Sequence, residues 1–327
     1  MGGLARRVAA VKKIRSENTP SLVLDSGDLF FSPQANLNPE WALKKALLFG
    51  RAYRRMGAAA MNVGDMDLLL GLDFLKKESS QGLPLISSNL IDPSIKKPIF
   101  RPYVIREIAG VRLAFLGLLS PDLNPQIASA IKTAQARVLI EDPVKIVQEI
   151  LPRLQGQADI VVLLSDLGVI RDQMLARSVR GILFILGGPE GRPMQIGNQV
   201  GQTFIFQSSS KGMYLGKLRI TLENTTSSFT DGGRVNQIQE QINYLDRGLQ
   251  SLRKMKESGA RPDNLNSEQM IQDIQRRKER LSEELKRAQQ NQNRGNRFIF
   301  SLEPLEMTLS QDEEVLSWLT EAGLDRD

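Results

Sequence analysis

The chain has 327 residues, 41% of them hydrophobic, a formal net charge of +6, and neither histidine nor cysteine. That excludes disulfides, thiolate metal sites, thiol nucleophiles and every mechanism that needs an imidazole, so a metal bound within this chain has to be held by oxygen. The dispersed basic residues, sparse aromatics and lack of a recognisable motif argue against nucleic acid as a partner, and no apolar run reaches the ~18 to 20 residues of a membrane span.

In chain order, Gly3 to Arg15 places Leu4, Val8 and Val11 on one face at helical spacing and predicts a helix packed on a sheet. The apolar run beginning at Ser21 stops at Asp25-Ser26-Gly27-Asp28 and reads as a buried strand. In open α/β sheets the loop after such a strand is where ligands sit, which puts Asp28 at the mouth of a site. Pro39 to Met56 predicts an amphipathic helix, and Ala58 to Val63 a strand feeding Gly64-Asp65-Met66-Asp67. Asp65 can be read as a helix cap for a helix starting near Leu68, or as an oxygen ligand.

Leu85 to Ser88 predicts a strand followed by Asn89, and two apolar segments around Ala109-Gly110 predict a hairpin. Pro143 to Leu154 predicts a helix, Ile160 to Leu164 a strand ending at Ser165-Asp166, and Ile182 to Leu186 a strand ending at Gly187-Gly188-Pro189-Glu190-Gly191. Thr203 to Gln207 and Leu215 to Leu222 complete the strands. From 233 to 296 apolar residues recur at alternating spacings of three and four, interrupted at Ser258 to Asn264 and restarting at Asn266 with Gln269, with Lys278 at one core position. That pattern predicts an antiparallel coiled-coil hairpin inserted before a returning strand near Arg297 and a terminal helix from Gln311 to Gly323.

The order and wording of MNVGDMDLLLGLDFL, LISSNL, LLSDLG, ILGGPEG and QSSSKGMYLGKLRITL resemble the calcineurin-like metallophosphoesterases, in their 5'-nucleotidase and UDP-sugar hydrolase branch. The resemblance implies an α/β fold, a layered β-sandwich flanked by helices. With it go a metallophosphoesterase-like domain over 1–232 and 297–327, and the hairpin over 233–296. It implies that Asp28 occupies the position of a metal-bridging aspartate and Asn89 that of a substrate-contacting asparagine. Asp65 and Asp166 stand where the family has an asparagine and a histidine ligand, Met66 where it has a catalytic histidine, and Pro189 and Gly191 where it has two further histidines. The sequence starts after the point where the family has a leading D-x-H strand and stops where the family continues into a nucleoside-gripping second domain, so either it is a fragment or the protein dispenses with that strand and its two ligands.

Two functions follow. The first is a non-catalytic scaffold with no cofactor expected, capturing a protein partner or another copy through the 233–296 hairpin. The second is a divergent phosphoester hydrolase in which Asp28, Asp65 and Asp166 hold Mg²⁺, Ca²⁺ or Mn²⁺. The resemblance also implies a periplasmic or extracellular location, although no hydrophobic signal segment is visible.

Overall fold

Helix α1 (Leu4–Ser16) buries Leu4, Ala5, Val8 and Val11, the stripe its spacing predicts. The computed structural model describes residues 2–17, 19–31, 39–133, 138–187, 194–208, 212–224, 228–257, 265–291 and 295–324. The chain divides into two units, Met1–Gly216 with Leu302–Asp327, and Lys217–Ser301.

The first unit continues with β1 (Val23–Asp25), α2 (Pro39–Arg55) and β2 (Ala58–Asn62). A short 3₁₀ turn (Met66–Leu70), α3 (Gly71–Ser80), β3 (Leu85–Ile86), β4 (Leu90–Asp92) and β5 (Lys97–Pro98) follow. Next come β6 (Tyr103–Ile108), β7 (Val111–Leu118), α4 (Pro125–Thr133), β8 (Leu139–Ile140), α5 (Pro143–Leu154), β9 (Ile160–Ser165) and α6 (Val169–Ser178). β10 (Phe184–Gly187), β11 (Met194–Val200) and β12 (Thr203–Gln207) complete this run.

Two sheets position the site. β1, β2 and β3 form a parallel sheet in that order, and β11-β12-β10-β9-β7-β6 a six-stranded one. In the larger sheet β7, β9, β10 and β12 are parallel, while β6 and β11 run antiparallel at the edges. β2 lies against β7 and β9, so the sheets are layered face to face. One apolar core joins α1, α2 and the smaller sheet, with Phe30, Met61 and Leu75 fully buried; another lies under α5 and α6, around Leu116, Leu163 and Ile185. β5-β4-β8 form a small third sheet.

Local chemistry explains the boundaries. The β6–β7 hairpin turns at Ala109 and Gly110, both at positive φ (50° and 77°), which suits the two-residue turn that follows strand twist. α5 starts at Asp142, whose Oδ1 accepts the Lys145 N–H at 2.8 Å, with Pro143 in the first turn. The terminal α9 (Glu313–Glu321) is capped by Asp312, which also pairs with Lys12 of α1. Its buried Trp318 lies 3.6 Å under the Arg51 guanidinium of α2.

In the second unit, α7 (Arg234–Glu257) and α8 (Leu265–Asn291) pair through Lys278 with Asp246 and Arg234 with Glu284, a pattern that requires antiparallel helices. Ile238, Ile242 and Leu249 form the buried stripe of α7. Lys278, read as a core position, is instead partly exposed and ion-paired. The turn between the helices, Ser258 to Asn264, lies outside the described residues, as do the side chains at the α8 restart.

This unit is wider than a bare hairpin. β13 (Tyr214–Thr221), β15 (Asn296–Pro304) and β14 (Phe229–Asp231) form a sheet in that order, with β14 and β15 parallel. Fully buried Asn296 accepts the N–H groups of Glu223 and Asn224 on one carbonyl oxygen, at 2.9 and 3.3 Å.

Candidate metal centre

The parallel strands β1, β2, β7 and β9 all end at one edge, and their following loops converge there. Asp28, Asp65 and Asp166 each place a carboxylate oxygen within 4.8 Å of the others. The three positions singled out in the sequence are thus brought together.

Their loops are pinned by backbone hydrogen bonds. Asp28 Oδ1 accepts the Met66 N–H at 2.9 Å. Asp166 Oδ2 accepts the Asp65 N–H at 3.0 Å, and Asp65 Oδ2 accepts the Asn124 N–H at 2.7 Å. Asp166 also accepts the Ser120 N–H. Asp65 therefore precedes the 3₁₀ turn without capping it by its side chain.

Asp67 is the residue the sequence reading left without a role. It is buried, and its carboxylate accepts three backbone N–H groups: Gly64 at 2.9 Å, Asp28 at 3.0 Å and Phe30 at 3.2 Å. This clasp holds Asp28 in the left-handed region at φ 57°, a conformation that short polar side chains tolerate but that costs energy. The advance signals were its place two residues after Asp65 and the acid that the resembled family has at that position. Behind the loop, Tyr53 donates to Asp25 Oδ2 at 2.9 Å, Arg7 donates to the Tyr53 oxygen at 2.7 Å, and Asp25 Oδ1 accepts the Gly27 N–H at 3.1 Å.

The electrostatics are those of crowded, half-buried anions. Burial pushes the Asp28 carboxyl up to about 10, and the charges of Asp166, Asp67 and Asp65 push the same way, while the Met66 N–H opposes them. Burial, and then Asp65, likewise holds Asp166 well above the carboxylate range. Burial raises Asp67 to about 7 against its three N–H partners, which favour the charged form. A hard divalent cation matches such a site, because it supplies the missing countercharge and prefers carboxylate oxygen.

Other expected positions fall elsewhere. Asn89 is fully buried; its Nδ2 donates to the carbonyls of Leu119 (2.8 Å) and Glu141 (3.2 Å), and its Oδ1 accepts the Leu119 N–H (2.9 Å). Its amide braces two backbone segments and presents no donor to a substrate. Met66 is buried, so its side chain points into the core. Pro189, Glu190 and Gly191 lie outside the described residues.

No protein-family profile matches the chain. Among curated proteins it is 31% identical over 147 residues to YunD of Bacillus subtilis, an uncharacterized metallophosphoesterase, covering 44% of this chain and 30% of that one. It is 22% identical over 200 residues to the 2',3'-cyclic-nucleotide 2'-phosphodiesterase/3'-nucleotidase of Salmonella typhimurium, covering 56% and 30%. The chain thus spans about a third or less of the length of these relatives. Among solved structures, the calcineurin-like phosphoesterase YfkN of Bacillus subtilis superposes with a TM-score of 0.63 at 18% identity, covering 98% of this chain and 88% of that one. The sulfate thiohydrolase SoxB of Thermus thermophilus gives 0.66 at 18%, covering 98% and 46%. The fold is that of the calcineurin-like metallophosphoesterases, in their 5'-nucleotidase branch.

Proposed function

We propose that the chain is a divalent-cation-dependent phosphoric ester hydrolase in which Asp28, Asp65 and Asp166 hold the cation. The convergence of those three carboxylates within 4.8 Å carries the reading. Anions so close in a half-buried place repel one another, and a protein whose only need was a scaffold gains nothing from keeping them together. The all-oxygen donor set suits Mg²⁺, Ca²⁺ or Mn²⁺ and lacks the nitrogen and sulfur that favour Zn²⁺. Such an ion, when bound, acts as a Lewis acid and lowers the pKa of water.

The chain's own residues do the rest. Asp67 fixes the Asp28 backbone and the Met66 N–H the Asp28 carboxylate, while Asn124 and Ser120 orient Asp65 and Asp166 through main-chain N–H groups. With no imidazole in the chain, a proton for the leaving group comes from a cluster carboxyl or from solvent. Relatives named for nucleotide and cyclic-nucleotide phosphoesters support a substrate of that class, and a periplasmic or extracellular location belongs to the same reading.

The test is turnover of nucleoside monophosphates, cyclic nucleotides and an aryl phosphate with Mg²⁺, Ca²⁺ or Mn²⁺ supplied after chelator treatment. Activity abolished by Asp28→Asn supports the proposal. A cation-loaded protein that turns over none of them overturns it.

A second reading, a scaffold that captures a protein partner or another copy through α7 and α8, is favoured by one observation. These helices leave Tyr244 71% and Met270 47% exposed, apolar surface that a solvated hairpin does not need.

A further inference from the structure

Asn62 closes β2 and is 1% exposed. Its Nδ2 donates to two carbonyls that belong to different walls of the metal centre. One is Ser26 O at 3.0 Å, in the turn that carries Asp28; the other is Leu118 O at 2.9 Å, at the end of β7. Leu118 O also accepts the Asp166 N–H at 2.9 Å. A single amide group therefore ties the Asp28 turn to the carbonyl from which Asp166 hangs.

Two features mark the arrangement as more than packing. Among the described residues, buried Asn62 Oδ1 has no hydrogen-bond partner, a cost that the two bonds made by its Nδ2 have to offset. Gly117 makes room for it, since a Cβ there would lie 2.5 Å from Asn62 Oδ1 and 2.9 Å from Ile86 O.

We infer that Asn62 is a positioning residue: its amide sets the separation of Asp28 from Asp166 and so the affinity of the centre for its cation. The inference rests on the cation site proposed above, and it needs a readout that does not depend on that site being loaded. Asn62→Asp keeps the shape and removes both N–H donors, turning carboxylate oxygen toward two carbonyls.

Crystals of wild type and Asn62→Asp grown without added cation compare the Asp28-to-Asp166 separation directly. Calorimetric titration with Ca²⁺ and with Mg²⁺ then measures Kd. Loss of a residue that orients ligands typically weakens metal binding about 10- to 100-fold. The expected result is a wider separation together with a Kd raised by that factor.

Thr203→Val, which removes the buried bond from Thr203 Oγ1 to Ile182 O (2.7 Å) away from the centre, should change neither. An unchanged separation with an unchanged Kd in Asn62→Asp overturns the inference, as does an equal loss of affinity in Thr203→Val. If wild type binds no cation, the cation site itself fails, and the pair of crystal structures still decides whether Asn62 sets the spacing. Should Asn62→Asp not fold, Asn62→Ser, with one O–H donor in place of two N–H groups, takes its place in both measurements.

Discussion

Gly64 packs so tightly against Asp28 that a Cβ on it would overlap the Asp28 carboxylate and backbone nitrogen and stand 3.0 Å from Asp28 Cγ. Because the neighbouring atoms are the backbone and the short, clasped side chain of Asp28, neither can yield without moving the carboxylate. Gly64→Ala should therefore lower stability by about 1–3 kcal/mol, the usual cost of overpacking, and weaken cation binding at the same time. Thermal melts with and without Ca²⁺ measure both. A fully stable variant with wild-type cation response would show that the contact is slack.

Without a cation, the cluster should make stability depend on pH with a defined sign. Folded Asp28 keeps its proton up to about 10, whereas an unfolded aspartate loses it near ~4. Over that interval the folded state binds more protons, so the contribution is fully present below about pH 4 and disappears as pH rises through about 10; Asp67 acts likewise between ~4 and about 7. In chelator the melting temperature should fall from about pH 5 to about pH 9, and Asp28→Asn should raise it at the alkaline end by several degrees. A melting temperature independent of pH in chelator would mean that the carboxylates do not crowd one another in solution.

Asp67 should matter more for stability than Asp28, Asp65 or Asp166. Asp67→Leu strands the N–H groups of Gly64, Asp28 and Phe30 in a dry environment, and each orphaned donor costs about 1–3 kcal/mol. We expect a loss of at least about 3 kcal/mol by urea unfolding, against a gain or little change for Asp28→Asn in chelator. A loss below about 1 kcal/mol would show that water replaces the clasp.

Removing the helical pair tests the second reading, provided the strands are kept. Asn296 has to stay, because its side chain joins β15 to the Glu223–Asn224 turn; a Gly/Ser link should replace only residues 236–291. A shorter loop costs little chain entropy, so circular dichroism and the cation response should persist. Self-association or partner capture should disappear in gel filtration and pull-down. Retention of every partner would move the interaction elsewhere.

Much of this architecture was legible in the order of residues, and the reasons differ by element. The β6–β7 hairpin, α5 and β12 announce themselves through turn chemistry, a capping acid and continuous apolar runs. The clustered carboxylates Asp28, Asp65 and Asp166 were legible because each follows a strand. α6 was not, since it mixes exposed Ile170 and Met174 with buried Asp172 and so lacks a clean stripe. Asp67, Asn62 and Asn89 take their meaning from carbonyls and N–H groups up to 56 positions away, which no local pattern records.

The stacking of Arg51 on Trp318 decides what tryptophan emission can report. The chain has only two tryptophans, Trp41 on α2 and Trp318 on α9, and the second is buried beneath a guanidinium that belongs to α2. Release of α9 would strip that cation from the indole and expose it to water, changing intensity and wavelength. The Trp318 share of the emission therefore follows the docking of α9, and a cation titration that leaves it unchanged is no evidence that the centre stays empty.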